Sequence, residues 1–97
     1  MTTPANIFSC LGHEPRIEIV RRLASQGNLS VTELLKEFEG SQPALSRNLR
    51  EMREAGIVRS EVAGQRRIYS LCEGVEDLVA LATALSEKSL PQQGQSK

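Results

Sequence analysis

Aromatic side chains are nearly missing from this chain of 97 residues: Phe8, Phe38 and Tyr69 are the full set, and tryptophan is absent. A core must therefore be assembled from Leu, Ile, Val and Ala, a composition suited to packed helices. Histidine occurs once, at His13, which leaves no partner set for Ser-His-Asp chemistry. There is also no glycine-rich phosphate loop and no cluster of carboxylates, and the chain is short for a substrate cleft, so an enzyme is not expected. No apolar run approaches the roughly 18 residues of a membrane span. The opening Met1-Thr2-Thr3-Pro4 lacks the basic-then-apolar order of a secretion signal, so a cytoplasmic location is expected. Net charge is zero as well, and bulk charge thus names no partner.

What is present is an uneven distribution of that charge. From Met1 to Gly40 there are four basic and five acidic residues, and from Leu71 to Lys97 two basic and four acidic. Between Ser41 and Ser70 there are six basic and three acidic residues. All six are arginine (Arg47, Arg50, Arg53, Arg59, Arg66, Arg67), the side chain suited to phosphate forks and guanine edges. A neutral chain that gathers its cations in one third of its length carries the electrostatic footprint of a nucleic-acid binder.

Apolar spacing and cap residues divide the chain into five helices and a hairpin. Ile7, Phe8 and Leu11 predict a short helix over about 4–11. Pro15 fits the first turn of a second, which buries Ile17, Ile19, Val20, Leu23 and Ala24, keeps Arg16, Glu18, Arg21 and Arg22 mostly outward, and ends in Ser25-Gln26-Gly27-Asn28. Ser30-Val31-Thr32-Glu33 reads as a capping box opening a third helix with the stripe Val31, Leu34, Leu35 and Phe38, closed by Glu39-Gly40. Ser41 caps a fourth helix from Gln42 to about Ala55, stopped by Gly56. In it Leu45, Leu49 and Met52 face a core while Ser46, Arg50 and Arg53 form an open row beside Arg47. Alternation then takes over: Val58, Ser60 and Val62, a turn at Ala63-Gly64-Gln65, then Ile68, Tyr69 and Leu71 predict two strands. A last helix is expected from near Gly74 to about Lys88. One domain spans 4–88, and the polar stretch 89–97 is expected to be a disordered tail.

This order of elements predicts a mainly α fold with a small β-hairpin, a winged helix-turn-helix of five helices and a two-stranded wing. In such a fold the second helix of the motif is held so that its outer face enters the major groove of DNA. Ser41 and Gln42, at its N-terminus, suit the phosphate backbone. Ser46, Arg47 and Arg50 lie where base edges fall, with Arg53 further along the same face. Gln65, Arg66 and Arg67 on the wing suit neighbouring phosphates or the minor groove.

Leu11-Gly12-His13-Glu14-Pro15-Arg16-Ile17, Ser41-Gln42-Pro43-Ala44-Leu45-Ser46-Arg47-Asn48-Leu49 and Arg53-Glu54-Ala55-Gly56-Ile57-Val58 together resemble the arsenic-repressor (ArsR/SmtB) family. The resemblance covers roughly Ile7 to Leu85. It implies a dimeric repressor that leaves its operator when an inducer binds, with Gln42, Ser46 and Arg47 reading bases. It also implies pairing of the terminal helices, so Ile7, Phe8, Leu11, Val75, Leu78, Val79, Ala82 and Leu85 are the expected interface. Val75, Leu78, Val79, Leu81, Ala82 and Leu85 of the last helix, more apolar surface than a small monomer covers easily, agree with that. An isologous pairing presents two recognition helices to an imperfect palindrome in double-stranded DNA.

Departures from the family's patterns are informative. Where arsenic-sensing members carry Cys-x-Cys this chain has Ser30 and Thr32, and hydroxyls do not replace thiolates for a thiophilic ion. The last helix has no histidine, Glu76, Asp77 and Glu87 offer only a weak hard-cation set, and His13 reads as a turn residue. No metal and no cofactor is expected. Cys10 and Cys72 remain. Some relatives sense oxidants or reactive sulfur through a cysteine pair, so these two thiols are a candidate switch, or else two small core residues. A protein-interaction module on the same fold, binding a toxin or another regulator, and a metal-responsive repressor with an unrecognised site are the alternatives.

Overall fold

The computed structural model describes the backbone of residues 2–95 and the side chains of residues 2–88. Among these, five helices and one three-stranded antiparallel sheet follow in the order α1 (Pro4–Leu11), α2 (Glu14–Gln26), β1 (Leu29–Ser30), α3 (Val31–Leu35), α4 (Gln42–Glu54), β2 (Val58–Ala63), β3 (Arg66–Leu71) and α5 (Val75–Gln95).

Most boundaries come from local chemistry. The Thr3 hydroxyl accepts from Asn6 N at 3.1 Å, with Pro4 in the first turn of α1. At α3 the capping box is complete: Glu33 N donates to Ser30 Oγ at 3.2 Å and Ser30 N donates to Glu33 Oε1 at 2.8 Å. Ser41 Oγ accepts from Ala44 N at 3.2 Å and opens α4. Gly56, at φ +81°, follows the end of α4 in a conformation that suits glycine.

Three boundaries differ from the expectations. α3 ends at Leu35, short of Phe38, and a turn carries the chain to α4. Gly40 lies against the Phe38 ring in that turn; a Cβ there would sit 2.8 Å from Phe38 Cε2. The sheet has a third strand: β1 pairs with β3 through Leu29↔Tyr69 and Ser30↔Ile68, giving the order β1-β3-β2. Two residues are too few to display alternation, so only the distant partner reveals β1 as a strand. α5 continues to Gln95, past the expected end near Lys88. The stretch 89–97 expected as a tail lies outside the residues whose side chains are described.

The core is aliphatic. Val20, Leu34, Leu45, Leu49, Met52, Ile57 and Val58 are fully buried, and Tyr69 on the central strand is its buried aromatic. Among the described residues no helix is long and apolar enough to cross a membrane. α2 is the frame, packing on α1, α4, α5 and β3.

Two arginines of α2 expected to face outward turn inward. Arg22 Nη1 and Nη2 donate to the carbonyls of Leu34 and Glu33 at 2.6 and 2.9 Å, at the C-terminal end of α3, where Leu34 O also accepts from Glu37 N. Arg22 Nε lies 3.4 Å from Glu37 Oε1, and the side chain is only 14% exposed. Arg16 donates to the Cys10 carbonyl at 3.1 Å and to Asn48 Oδ1 at 2.8 Å. Glu18 and Arg21 stay on the surface, paired at 3.0 Å. A guanidinium carries five donors, so helix-end carbonyls draw it in where spacing alone places it outside. Arg22→Ala leaves two carbonyls without that charged donor and should lower stability by about 1.5–3 kcal/mol. Urea denaturation should show this as a lower midpoint at unchanged slope; an unchanged midpoint would mean that Arg22 does not hold α3.

Candidate nucleic-acid interface

Burial divides α4 cleanly. Leu45, Leu49 and Met52 are at most 1% exposed, whereas Gln42, Ser46, Arg47, Arg50 and Arg53 are all exposed. The apolar stripe therefore fixes which side is offered outward, and a helical row of Gln42, Ser46, Arg50 and Arg53 with Arg47 beside it occupies that side. Ser41 is exposed at the N-terminus of this helix, where unpaired N–H groups and the helix dipole favour an anion.

Asn48 is a member of this helix that sequence reasoning passed over. It is half-buried, donates to Ala44 O at 3.0 Å and accepts from Arg16 Nε, so it fastens α4 to α2 from the side of the helix. Nothing in its spacing signals that role, because its partner lies 32 residues away.

The wing joins Val58–Ala63 to Arg66–Leu71 through Gly64-Gln65, in a register running from Val58↔Leu71 to Ala63↔Arg66. Gln65, Arg66 and Arg67 are exposed at its tip, as expected, and so is Val62. Arg67 Nη1 donates to Ser60 Oγ across the hairpin at 2.9 Å. Arg66 Nη2 reaches back to Glu33 Oε1 at 3.3 Å. Hydrogen bonds from the Ser30 backbone and side chain hold the Glu33 carboxyl below the ordinary glutamate range, with smaller help from Arg66 and Lys36. A depressed folded-state value means that this contribution to stability is present above the ordinary glutamate range and is lost as pH falls through the lowered value. Glu33→Gln should therefore flatten part of the acid limb of a thermal-unfolding pH profile; an unchanged limb would remove Glu33 from that dependence.

The cysteines occupy different settings. Both are free, Cys10 buried and Cys72 half-buried at the junction of β3 and α5. Cys72 N donates to Ile57 O at 2.9 Å. Burial pushes the Cys10 thiol up, opposed in part by the charge and hydrogen bonding of Arg16, with Glu51 raising it further. A thiol held protonated is a poor nucleophile. Cys10 nonetheless lines an open cavity of about 300 Å³ with Asn6, Ser9, Arg16 and Glu51. Alkylation of the native protein at neutral pH should modify Cys72 well before Cys10, read by peptide mass spectrometry; faster modification of Cys10 would show that its burial is readily relieved. Ser30, which stands where some relatives of the resembled family hold a thiolate, is 2% exposed and occupied by the capping box. His13 is exposed and makes no side-chain cap bond at the start of α2. Among the described residues no three His, Cys, Asp or Glu side chains gather as a metal-binding group.

The expected interface residues separate into two sets. Leu11, Val75 and Val79 are 6–8% exposed and pack into the core of the protomer, and Ile7 and Leu78 pack partly against it. The period of a helix cannot tell a core stripe from an interface stripe when the two adjoin. Phe8 and Leu85 are 62% and 60% exposed, Ala82 is exposed, and Leu81, not among the expected residues, is 62% exposed.

A helix-turn-helix with its second helix open and a basic hairpin beside the motif defines a winged-helix DNA-binding domain. Comparison with known proteins agrees. A family model described as a helix-turn-helix domain matches residues 11–61. The arsenic resistance transcriptional regulator ArsR1 of Pseudomonas putida is 41% identical over 69 residues, covering 71% of this chain and 54% of its own length. The crystal structure of Rv0081 from Mycobacterium tuberculosis matches with a TM-score of 0.86 at 31% identity, over 92% of this chain and 90% of that one. The homodimeric winged helix-turn-helix DNA-binding domain of Mb0332 from Mycobacterium bovis, described as a possible ArsR-family transcriptional regulator, matches with a TM-score of 0.79 at 26% identity, over 87% and 78%. The chain belongs to the ArsR family of winged helix-turn-helix transcriptional regulators. It spans little more than half the length of the P. putida regulator.

Proposed function

We propose that this protein is a sequence-specific DNA-binding transcriptional repressor that acts as a homodimer. The observation that carries the reading is α4, pinned by three fully buried side chains and presenting Gln42, Ser46, Arg47, Arg50 and Arg53 to solvent. In this reading Gln42, Ser46 and Arg47 read bases, Ser41 and Arg53 hold phosphates, and Gln65, Arg66 and Arg67 extend the contact from the wing, a reading supported by the exposure of all eight. The exposed apolar residues Phe8, Leu81 and Ala82 on the two terminal helices favour a second copy as their cover, and the homodimeric Mb0332 domain has the same fold. A two-fold pairing sets two recognition helices about one DNA turn apart, on an imperfect palindrome. Occupying that DNA against polymerase is how such a protein represses.

The switching signal is proposed as a thiol pair. Oxidation of Cys10 and Cys72 to a disulfide takes two electrons and two protons to an external oxidant such as a peroxide, and would tie α1 to the base of α5. The cavity beside Cys10 favours access by a small oxidant, whereas the raised thiol of Cys10 opposes fast reaction.

Fluorescence anisotropy with duplex DNA from the protein's own upstream region tests these readings. Affinity should fall steeply with salt, by about 0.9 in log–log slope for each phosphate neutralised. Arg47→Ala should weaken binding by about 1–3 kcal/mol and relax preference at one base position. Full sequence preference in that variant would reduce Arg47 to a phosphate contact. Leu81→Asp should yield monomers in sedimentation, and a stable dimer would place the interface elsewhere. Binding lost on mild oxidation in the wild type but kept in Cys10→Ser would establish the switch, and indifference to oxidation would return both thiols to the core. No salt-dependent DNA binding at all would favour a protein-interaction module.

A further inference from the structure

The six arginines between Ser41 and Ser70 are not in equivalent states. Among the described residues Arg66 alone of the six makes an ion pair, to Glu33. Its partner is fixed in place. Glu33 Oε1 accepts from Ser30 N at 2.8 Å, and Ser30 is itself locked to the central strand by Ser30↔Ile68, two residues beyond Arg66. The carboxylate that closes the cap of α3 thus stands beside the wing as a built-in anion, and one oxygen serves both the cap and the guanidinium.

We propose that Glu33 is an intramolecular stand-in for a DNA phosphate. It holds the Arg66 guanidinium against the start of α3 in the free protein and releases it to a backbone phosphate when the wing meets DNA. This rests on the repressor reading above. The pair is suited to exchange: both side chains are substantially exposed, 59% for Arg66 and 43% for Glu33, so solvent screens the attraction and opening it costs little. The carboxylate loses nothing structurally on release, because its bond to Ser30 N is independent of Arg66. A phosphate presents the same charge-assisted acceptors to the guanidinium and adds the field of its neighbours. Glu33 therefore makes the Arg66 contact conditional, since it replaces an existing ion pair rather than adding a new one, and it lowers the salt-dependent part of wing binding.

Glu33→Gln tests this without dismantling α3, because glutamine serves the same capping position. Four proteins are compared by anisotropy across a salt series on the upstream duplex: wild type, Glu33→Gln, Arg66→Ala and the double variant, with circular dichroism confirming that each is folded. Glu33→Gln should tighten binding by up to about fivefold at low salt, the range expected for loss of one exposed pair. It should also steepen the salt slope by up to about 0.9. In the Arg66→Ala background it should do neither. An equal gain in both backgrounds overturns the proposal and makes Glu33 a source of general repulsion. A loss of affinity in the wild-type background also overturns it, by making Glu33 a support that orients Arg66 for DNA. Failure of all four proteins to bind DNA overturns the repressor reading itself, and this proposal with it.

Discussion

The placement of α3 and α4 on the rest of the fold depends on two hydrogen-bonding side chains of α2. Arg22 closes the end of α3 by donating to two of its carbonyls, and Arg16 grips Asn48 on α4 while holding the end of α1. A five-residue helix is too short to persist alone, and α3 is held from both ends, by its capping box and by Arg22. The angle between α3 and α4, which decides how the second helix meets a groove, is thereby referred to one rigid element. Apolar burial of Leu45, Leu49 and Met52 supplies most of the adhesion; the arginines supply direction.

The same economy runs through the sheet. β1 is two residues long, yet it ties the start of α3 to β3 and so connects the wing to the helix-turn-helix. Glu33 lies at that junction, completing the cap and meeting Arg66. The wing and the start of α3 thus meet at one carboxylate, whose cap bond does not require the ion pair. In a domain with few aromatics and a small core, polar contacts at element ends carry much of the geometry that larger proteins assign to packing.

The distribution of charge gains meaning from this arrangement. Neutral overall, the chain exposes arginines on α4 and the wing while the arginines of α2 at positions 16 and 22 are consumed internally. Family membership follows from the whole pattern, and the proposed DNA contact follows from which arginines remain outward. The terminal helices add exposed Phe8, Leu81, Ala82 and Leu85, a surface separate from the basic one in composition and in position along the chain.

Most of the architecture was legible in the sequence because it is written locally. Caps at Ser30 and Ser41, proline in first turns, glycine after α4 and the change of period after Gly56 each act within a few residues, and the exposed row of α4 follows from its apolar stripe. What the tertiary structure decided depends on partners far apart in the chain. It turned Arg16 and Arg22 inward, made a strand of Leu29–Ser30 and placed Arg66 on Glu33. It also assigned Leu11, Val75 and Val79 to the core while leaving Phe8 and Leu81 outside. Side-chain type and spacing state what a residue is able to bond or bury. Whether an arginine finds a phosphate or a carbonyl, and whether a leucine finds its own core or another surface, is settled only when distant segments are brought within a few ångströms.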